Sequence, residues 1–146
     1  MKGSSPRGAS ELGPTLRWGV GIGLLVAAFD TLAFVVSRGF TPDSDAAAYI
    51  ALADQFANVV LFSLVGLRVG RQTRVVRAAA EAGVLAGIVA GLVALGIGVL
   101  MPSAEQPMNT PRDVIATLAL NIAMGGVLAL LNGWIATRER RASPRA

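Results

Sequence analysis

The stretch Ala82–Met101, AGVLAGIVAGLVALGIGVLM, carries no charged and no hydrogen-bonding side chain. Twenty residues of α-helix rise ~30 Å, the thickness of one hydrocarbon core. Pro102 stops the run. Three further runs are comparably long and mostly apolar: Trp18–Ser37, Ala46–Leu67 and Val114–Thr137. The chain therefore predicts an all-α integral membrane bundle of four transmembrane helices, with spans at about 18–37, 46–67, 82–101 and 114–137. Residues 1–16 read as a flexible cytoplasmic tail, 17–137 as the transmembrane domain and 138–146 as a basic cytoplasmic tail.

Composition agrees with this reading. Of 146 residues, 53% are apolar and only 15% charged, where soluble domains carry about a quarter charged residues. So few charges would hardly cover the surface of a soluble fold. Cysteine and histidine are both absent. That excludes a disulfide framework, thiolate or imidazole metal sites, and haem ligation by His or Cys. Ser–His–Asp and Cys–His catalytic sets are excluded with them. The sequence therefore points away from an enzyme and calls for no cofactor.

The segments between spans carry local signals. Thr15 suits the N-cap of the first helix, and Ser44 that of the second. Thr110-Pro111-Arg112-Asp113 reads as a helix start, with Thr as N-cap, Pro at the first position and an acid in the first turn. The first span also follows basic residues, as a signal peptide would. It is longer than a usual signal-peptide core and no A-x-A cleavage site follows it, which favours an uncleaved helix.

Basic residues set the expected orientation. Lys2, Arg7 and Arg17 precede the first span. Arg68, Arg71, Arg74 and Arg77 lie between the second and third, and Arg138, Arg140, Arg141 and Arg145 follow the fourth. Eleven of the 13 basic residues thus fall on one side of a four-span chain, leaving Arg38 and Arg112 on the other. The positive-inside rule places both termini in the cytoplasm of a bacterial-type plasma membrane, an inner membrane. Trp18 and Trp134 sit near the cytoplasmic ends of their spans and read as interface anchors.

Two acids lie inside apolar spans, Asp30 and Asp54, and Asn58 and Asn121 accompany them. Asp30 lies ~18 Å, Asp54 ~20 Å and Asn121 ~21 Å from the cytoplasmic ends of their helices. Each also shares a helical stripe with small or polar residues: Gly23–Ala27–Asp30, Ala47–Ala51–Asp54–Asn58 and Thr117–Asn121–Gly125. Such stripes mark buried membrane-helix interfaces. No basic side chain lies at that depth. Two close carboxylates in a low dielectric cannot both stay ionised, so protons or a cation must join them. One reading is a proton- or cation-binding cluster. The other is polar glue, with protonated acids hydrogen-bonded to amides.

Small residues recur at fourfold spacing. Gly83, Gly87 and Gly91 do so in the third span, Gly19 and Gly23 in the first. Such stripes let backbones approach closely, either within the chain or across a homo-oligomer seam. Arg68, Arg71, Arg74 and Arg77 recur at threefold spacing. They set topology and suit contact with anionic lipid headgroups. No aromatic or fold motif accompanies them, which argues against nucleic acid. No phosphate-loop motif occurs, and Asp43 and Asp45 are too few for calcium; no metal site is expected.

An internal echo is present. Gly19, Val20 and Gly23 match Gly83, Val84 and Gly87, while Asp54, Val60, Leu61, Leu64, Gly66 and Arg71 align with Asn121, Val127, Leu128, Leu131, Gly133 and Arg138. Two such hairpins would run in the same sense, related by an axis along the membrane normal. The string Ser37-Arg38-Gly39-Phe40-Thr41, after a first span holding an acid, resembles small multidrug-resistance transporters. That family carries a glutamate farther from the string than Asp30 is. Its loops are shorter and its charge bias weaker, so no residue role is carried over. The sequence points to a non-enzymatic accessory or structural subunit with a polar intramembrane cluster, partnered by lipid and by itself or a larger membrane complex. The alternative is a small proton- or cation-coupled transporter or ion pathway using Asp30 and Asp54.

Overall fold

Four helices follow one another in the computed structural model: α1 (Ala9–Ser37), α2 (Asp45–Thr73), α3 (Val76–Leu100) and α4 (Pro111–Ala142). The structure describes residues 9–101 and 110–142, with side chains at 12–101 and 110–138. Among the described residues there is no strand. All four helices are long and apolar enough to cross a membrane. Only 11–28% of each helix's apolar window is buried within the chain, so most of that apolar surface faces outward. Leu100 is 80% and Val99 76% exposed.

Each helix runs past its apolar stretch. α1 begins at Ala9, so Thr15 lies inside the helix and is buried. The helix passes through Pro14 as well, which removes one backbone donor near its start. The linker expected over 68–81 shrinks to Arg74 and Val75. Arg, Gln, Glu and Ala are good helix formers, so both helices extend into it from either side. The arginine stripe is consequently broken. Arg68 and Arg71 ride on α2, Arg74 sits in the turn and Arg77 lies in the first turn of α3.

The helix ends show why the chain turns where it does. Ser44 caps α2, its Oγ accepting from the Ala47 N–H at 3.2 Å. Thr110 and Asp113 cap α4 reciprocally. Thr110 Oγ1 accepts from the Asp113 N–H at 3.3 Å, and Asp113 Oδ2 accepts from the Thr110 N–H at 3.3 Å. Arg74 ends α2 in the left-handed region, with φ 59° and ψ 20°. Its N–H donates to Gly70 O at 3.0 Å, and Thr73 Oγ1 accepts from the Val75 N–H at 3.2 Å. Together these contacts make a two-residue turn possible.

Lateral order is the least expected feature. α1 packs on α2 and α3, and α4 packs on α2 and α3, but α1 does not meet α4. Helices α2 and α3 touch across the middle. The two hairpins run in the same sense. Gly19 abuts Ala82 and Gly23 abuts Ala86 on α1 and α3; Gly66 abuts Ala129 and Gly70 abuts Gly133 on α2 and α4. Arg38 and Met101, joined by a hydrogen bond of 3.1 Å, keep the same separation of 63 residues. A twofold axis along the bundle would make the α1–α4 and α2–α3 distances equal. A sideways shift makes one diagonal short and the other long. The second hairpin is thus displaced from the first rather than rotated, which corrects the expected axis along the membrane normal.

The core is built from small residues and one aromatic. Phe62 is fully buried, and its ring lies against Gly125, where an added Cβ would come within 3.0 Å of it. Around it lie Val26, Val65, Val69 and a run of alanines from Ala78 to Ala90. Burial is uneven along the bundle. Among the described residues none is buried beyond Ala27 on α1, before Asn58 on α2, beyond Gly91 on α3 or before Gly125 on α4. The tight half is the end carrying the arginines and tryptophans. The other half is half-buried at best.

Candidate functional site

Asp30 on α1 and Asn58 on α2 meet where the tight half ends. The Asn58 Nδ2 donates to Asp30 Oδ1 at 2.8 Å. Asp54 lies one turn from Asn58 on the same face of α2, and its carboxyl is within hydrogen-bonding reach of Asp30. Asn58 is 5% exposed, and both acids are half-buried. Two buried oxygens, Asp54 Oδ1 and Asn58 Oδ1, accept no hydrogen bond from the protein.

The antiparallel register of α1 and α2 explains the meeting. At one end Trp18 Nε1 donates to Gln72 Oε1 at 3.1 Å; at the other the helices join through residues 38–44. Between these ties Asp30 falls level with Asn58. Thr31, beside Asp30, turns its hydroxyl back to Ala27 O at 2.6 Å and leaves the acid to α2.

Asn121 has a different environment. Its Nδ2 donates to Thr117 O of its own helix at 3.0 Å. It faces α3, where a Cβ added at Gly91 would lie 3.6 Å from Asn121 Cβ. Since α1 does not meet α4, Asn121 stands across the bundle from Asp30. Gln55 makes the polar contact between α2 and α4 instead, its Nε2 lying 3.3 Å from Met124 Sδ. Residues 82–100 of α3 and 114–137 of α4 include no ionisable side chain.

The glycine stripes all face other helices of the same chain. Gly83 lies on the carbonyl of Gly125 and Gly87 on that of Asn121. Gly91 meets Leu118, Gly19 meets Ala82 and Gly23 meets Ala86. At Gly23 an added Cβ would come within 2.8 Å of Ala86 O. At Gly19, Gly23, Gly83 and Gly87 the obstacle includes backbone, which no side-chain rotation can relieve, whereas at Gly91 it is the Leu118 side chain.

At the arginine-rich end, guanidinium groups lie over aromatic rings. Arg68 is 5.6 Å from the Trp18 centroid and Arg138 is 3.8 Å from that of Trp134. Arg77 pairs with Glu81 at 2.7 Å, an exposed contact of little energetic weight. Arg71 and Arg74 are exposed. At the other end Arg38 lies 4.8 Å from the Phe34 ring. Sequence reasoning had not singled out Phe62 or the Trp18–Gln72 tie. The signal for the latter was present, since the two residues sit near facing ends of consecutive helices.

No family model, curated protein or solved structure matches the chain. The arrangement of side chains is therefore the basis for any functional reading. It offers oxygen ligands and proton acceptors within the bundle. Among the described residues it offers no group of three or more Asp or Glu that could hold a metal ion.

Proposed function

We propose that this chain is a small, non-enzymatic integral membrane protein that serves as an accessory or structural subunit. Both termini lie on the cytoplasmic side of a bacterial-type plasma membrane. The outward-facing apolar surface of four long helices supports membrane insertion, and the one-sided basic residues support the orientation. Arg68, Arg71, Arg74 and Arg77 then lie among anionic headgroups, each attraction worth ~1 kcal/mol. The observation that carries the subunit reading is the tight half. There Gly66, Gly70, Gly83 and Gly87 bring helices together backbone against backbone, an arrangement suited to a fixed scaffold.

A second reading has its own support. The unsatisfied Asp54 Oδ1 and Asn58 Oδ1 beside Asp30 suit a proton or cation pathway, because intramembrane acids are costly and commonly functional. Reconstituted liposomes separate the two. Under the subunit reading the purified chain carries no proton, sodium or cationic-dye flux at any pH tried. Flux that disappears in Asp30→Asn and Asp54→Asn, with unchanged melting, would overturn it in favour of the pathway. An amide keeps the shape of a protonated acid but cannot release a proton.

A further inference from the structure

We propose that Asp30, Asp54 and Asn58 form a binding site for one monovalent cation of the sodium class. The proposal deepens the second reading above, and requires binding at these residues without requiring flux. Its foundation is Asn58. That side chain is 5% exposed, and its amide is held by the 2.8 Å bond from Nδ2 to Asp30 Oδ1. With Nδ2 so held, the amide oxygen Oδ1 is buried and without a donor. Asp54 Oδ1, one turn along the same face, is buried without a donor as well. Two orphaned acceptors, one from an amide and one from a carboxyl, and the Asp30 carboxyl thus come together from two helices. A buried acceptor without a partner is costly, and a cation satisfies several at once.

The chemistry of the ligands selects the ion. All are oxygens, which suit hard cations and not soft metals. Calcium takes six to eight oxygens and magnesium a near-octahedral shell, whereas only two acids converge here. Charge balance points the same way. α3 and α4 bring no ionisable side chain to the level of the acids. One monovalent cation with one proton shared between the carboxyls leaves the group neutral, as a low-dielectric site demands. The site lies at the boundary between the tight half and the looser half.

The test is equilibrium binding of radioactive sodium to the full chain in detergent, with choline balancing ionic strength. Saturable binding near one ion per chain is expected, displaced by unlabelled NaCl and LiCl but not by choline. Asp54→Asn should weaken it roughly tenfold or more, with melting unchanged. Asp45→Asn, at an exposed acid on the same helix, should leave it alone. No wild-type binding above the choline background overturns the proposal, as does equal binding in Asp54→Asn or displacement by equimolar magnesium. Sodium binding without flux in liposomes removes only the pathway reading. Proton flux without sodium binding removes only the cation site.

Discussion

Adding one methyl group at Gly87 and one at Gly96 should shift stability in opposite directions. Both glycines lie on α3, nine positions apart. A Cβ at Gly87 would come within 2.7 Å of the Asn121 carbonyl carbon and 2.8 Å of Ile122 Cα. Carbon atoms pack comfortably at about 3.5–4.0 Å, so α3 and α4 must separate by roughly 1 Å locally. The obstacle is backbone, which cannot rotate away. Overpacking of this kind costs about 1–3 kcal/mol, and the gain in helix propensity from Gly to Ala returns about 0.5–1 kcal/mol. Gly87→Ala should therefore lose up to about 2.5 kcal/mol net. At Gly96 nothing lies within 4 Å of the added Cβ, so only the propensity gain of about 0.5–1 kcal/mol remains. For a chain of this length 1 kcal/mol corresponds to about 2–4 °C. Thermal melting of the two variants in the same detergent should place them several degrees apart on opposite sides of wild type. If Gly87→Ala melts at or above wild type, the close approach of α3 and α4 is not what holds the bundle together. Gly87→Leu extends the test: it should weaken the bundle further than Gly87→Ala.

Three other substitutions follow from local geometry. Arg74 holds φ 59°, a conformation that costs a non-glycine residue roughly 1–2 kcal/mol. Arg74→Gly should therefore raise the melting temperature, and a fall would mean that its charge matters more than its backbone. Thr110→Ala removes one side of the reciprocal cap on α4 and should cost about 1 kcal/mol, read as a lower melting temperature. Asp113→Ala on top of it should cost less than it does alone, because the two side chains cap each other. For orientation, a cysteine-reactive, membrane-impermeant label should modify Arg71→Cys only in inverted vesicles. Modification in intact cells would reverse or remove the four-span topology.

Much of this was legible locally. Span number and position follow from runs of apolar residues, because a helix in an apolar medium must satisfy its own backbone and needs a fixed length to do so. Ser44 and Thr110 were readable as caps, since a cap involves only three or four consecutive residues. Asp30, Asp54 and Asn58 stood out because polar side chains are rare in such runs. The stretch from Arg68 to Glu81 was misleading for the same reason. Its polarity marked where the apolar runs stop, and helix continues through most of it.

The site itself was only partly legible. Depth and stripe matched Asn121 to the acids as well as they matched Asn58. Only Asn58 is on a helix that meets α1. Likewise Gly91 and Gly96 are indistinguishable by composition of their surroundings, yet one lies against Leu118 and the other faces nothing.

By itself the sequence determined four helices of membrane-spanning length and the presence of polar residues within them. Each of these depends on residues close together in the chain and on their transfer between water and hydrocarbon. The tertiary structure alone decided that α1 packs on α3 and not on α4, that the hairpins are shifted rather than rotated, and that Asp30 bonds to Asn58. Those outcomes depend on which small-residue surfaces fit closest. Apolar helices of similar composition offer many such surfaces, and only the closeness of fit of backbone against backbone distinguishes them.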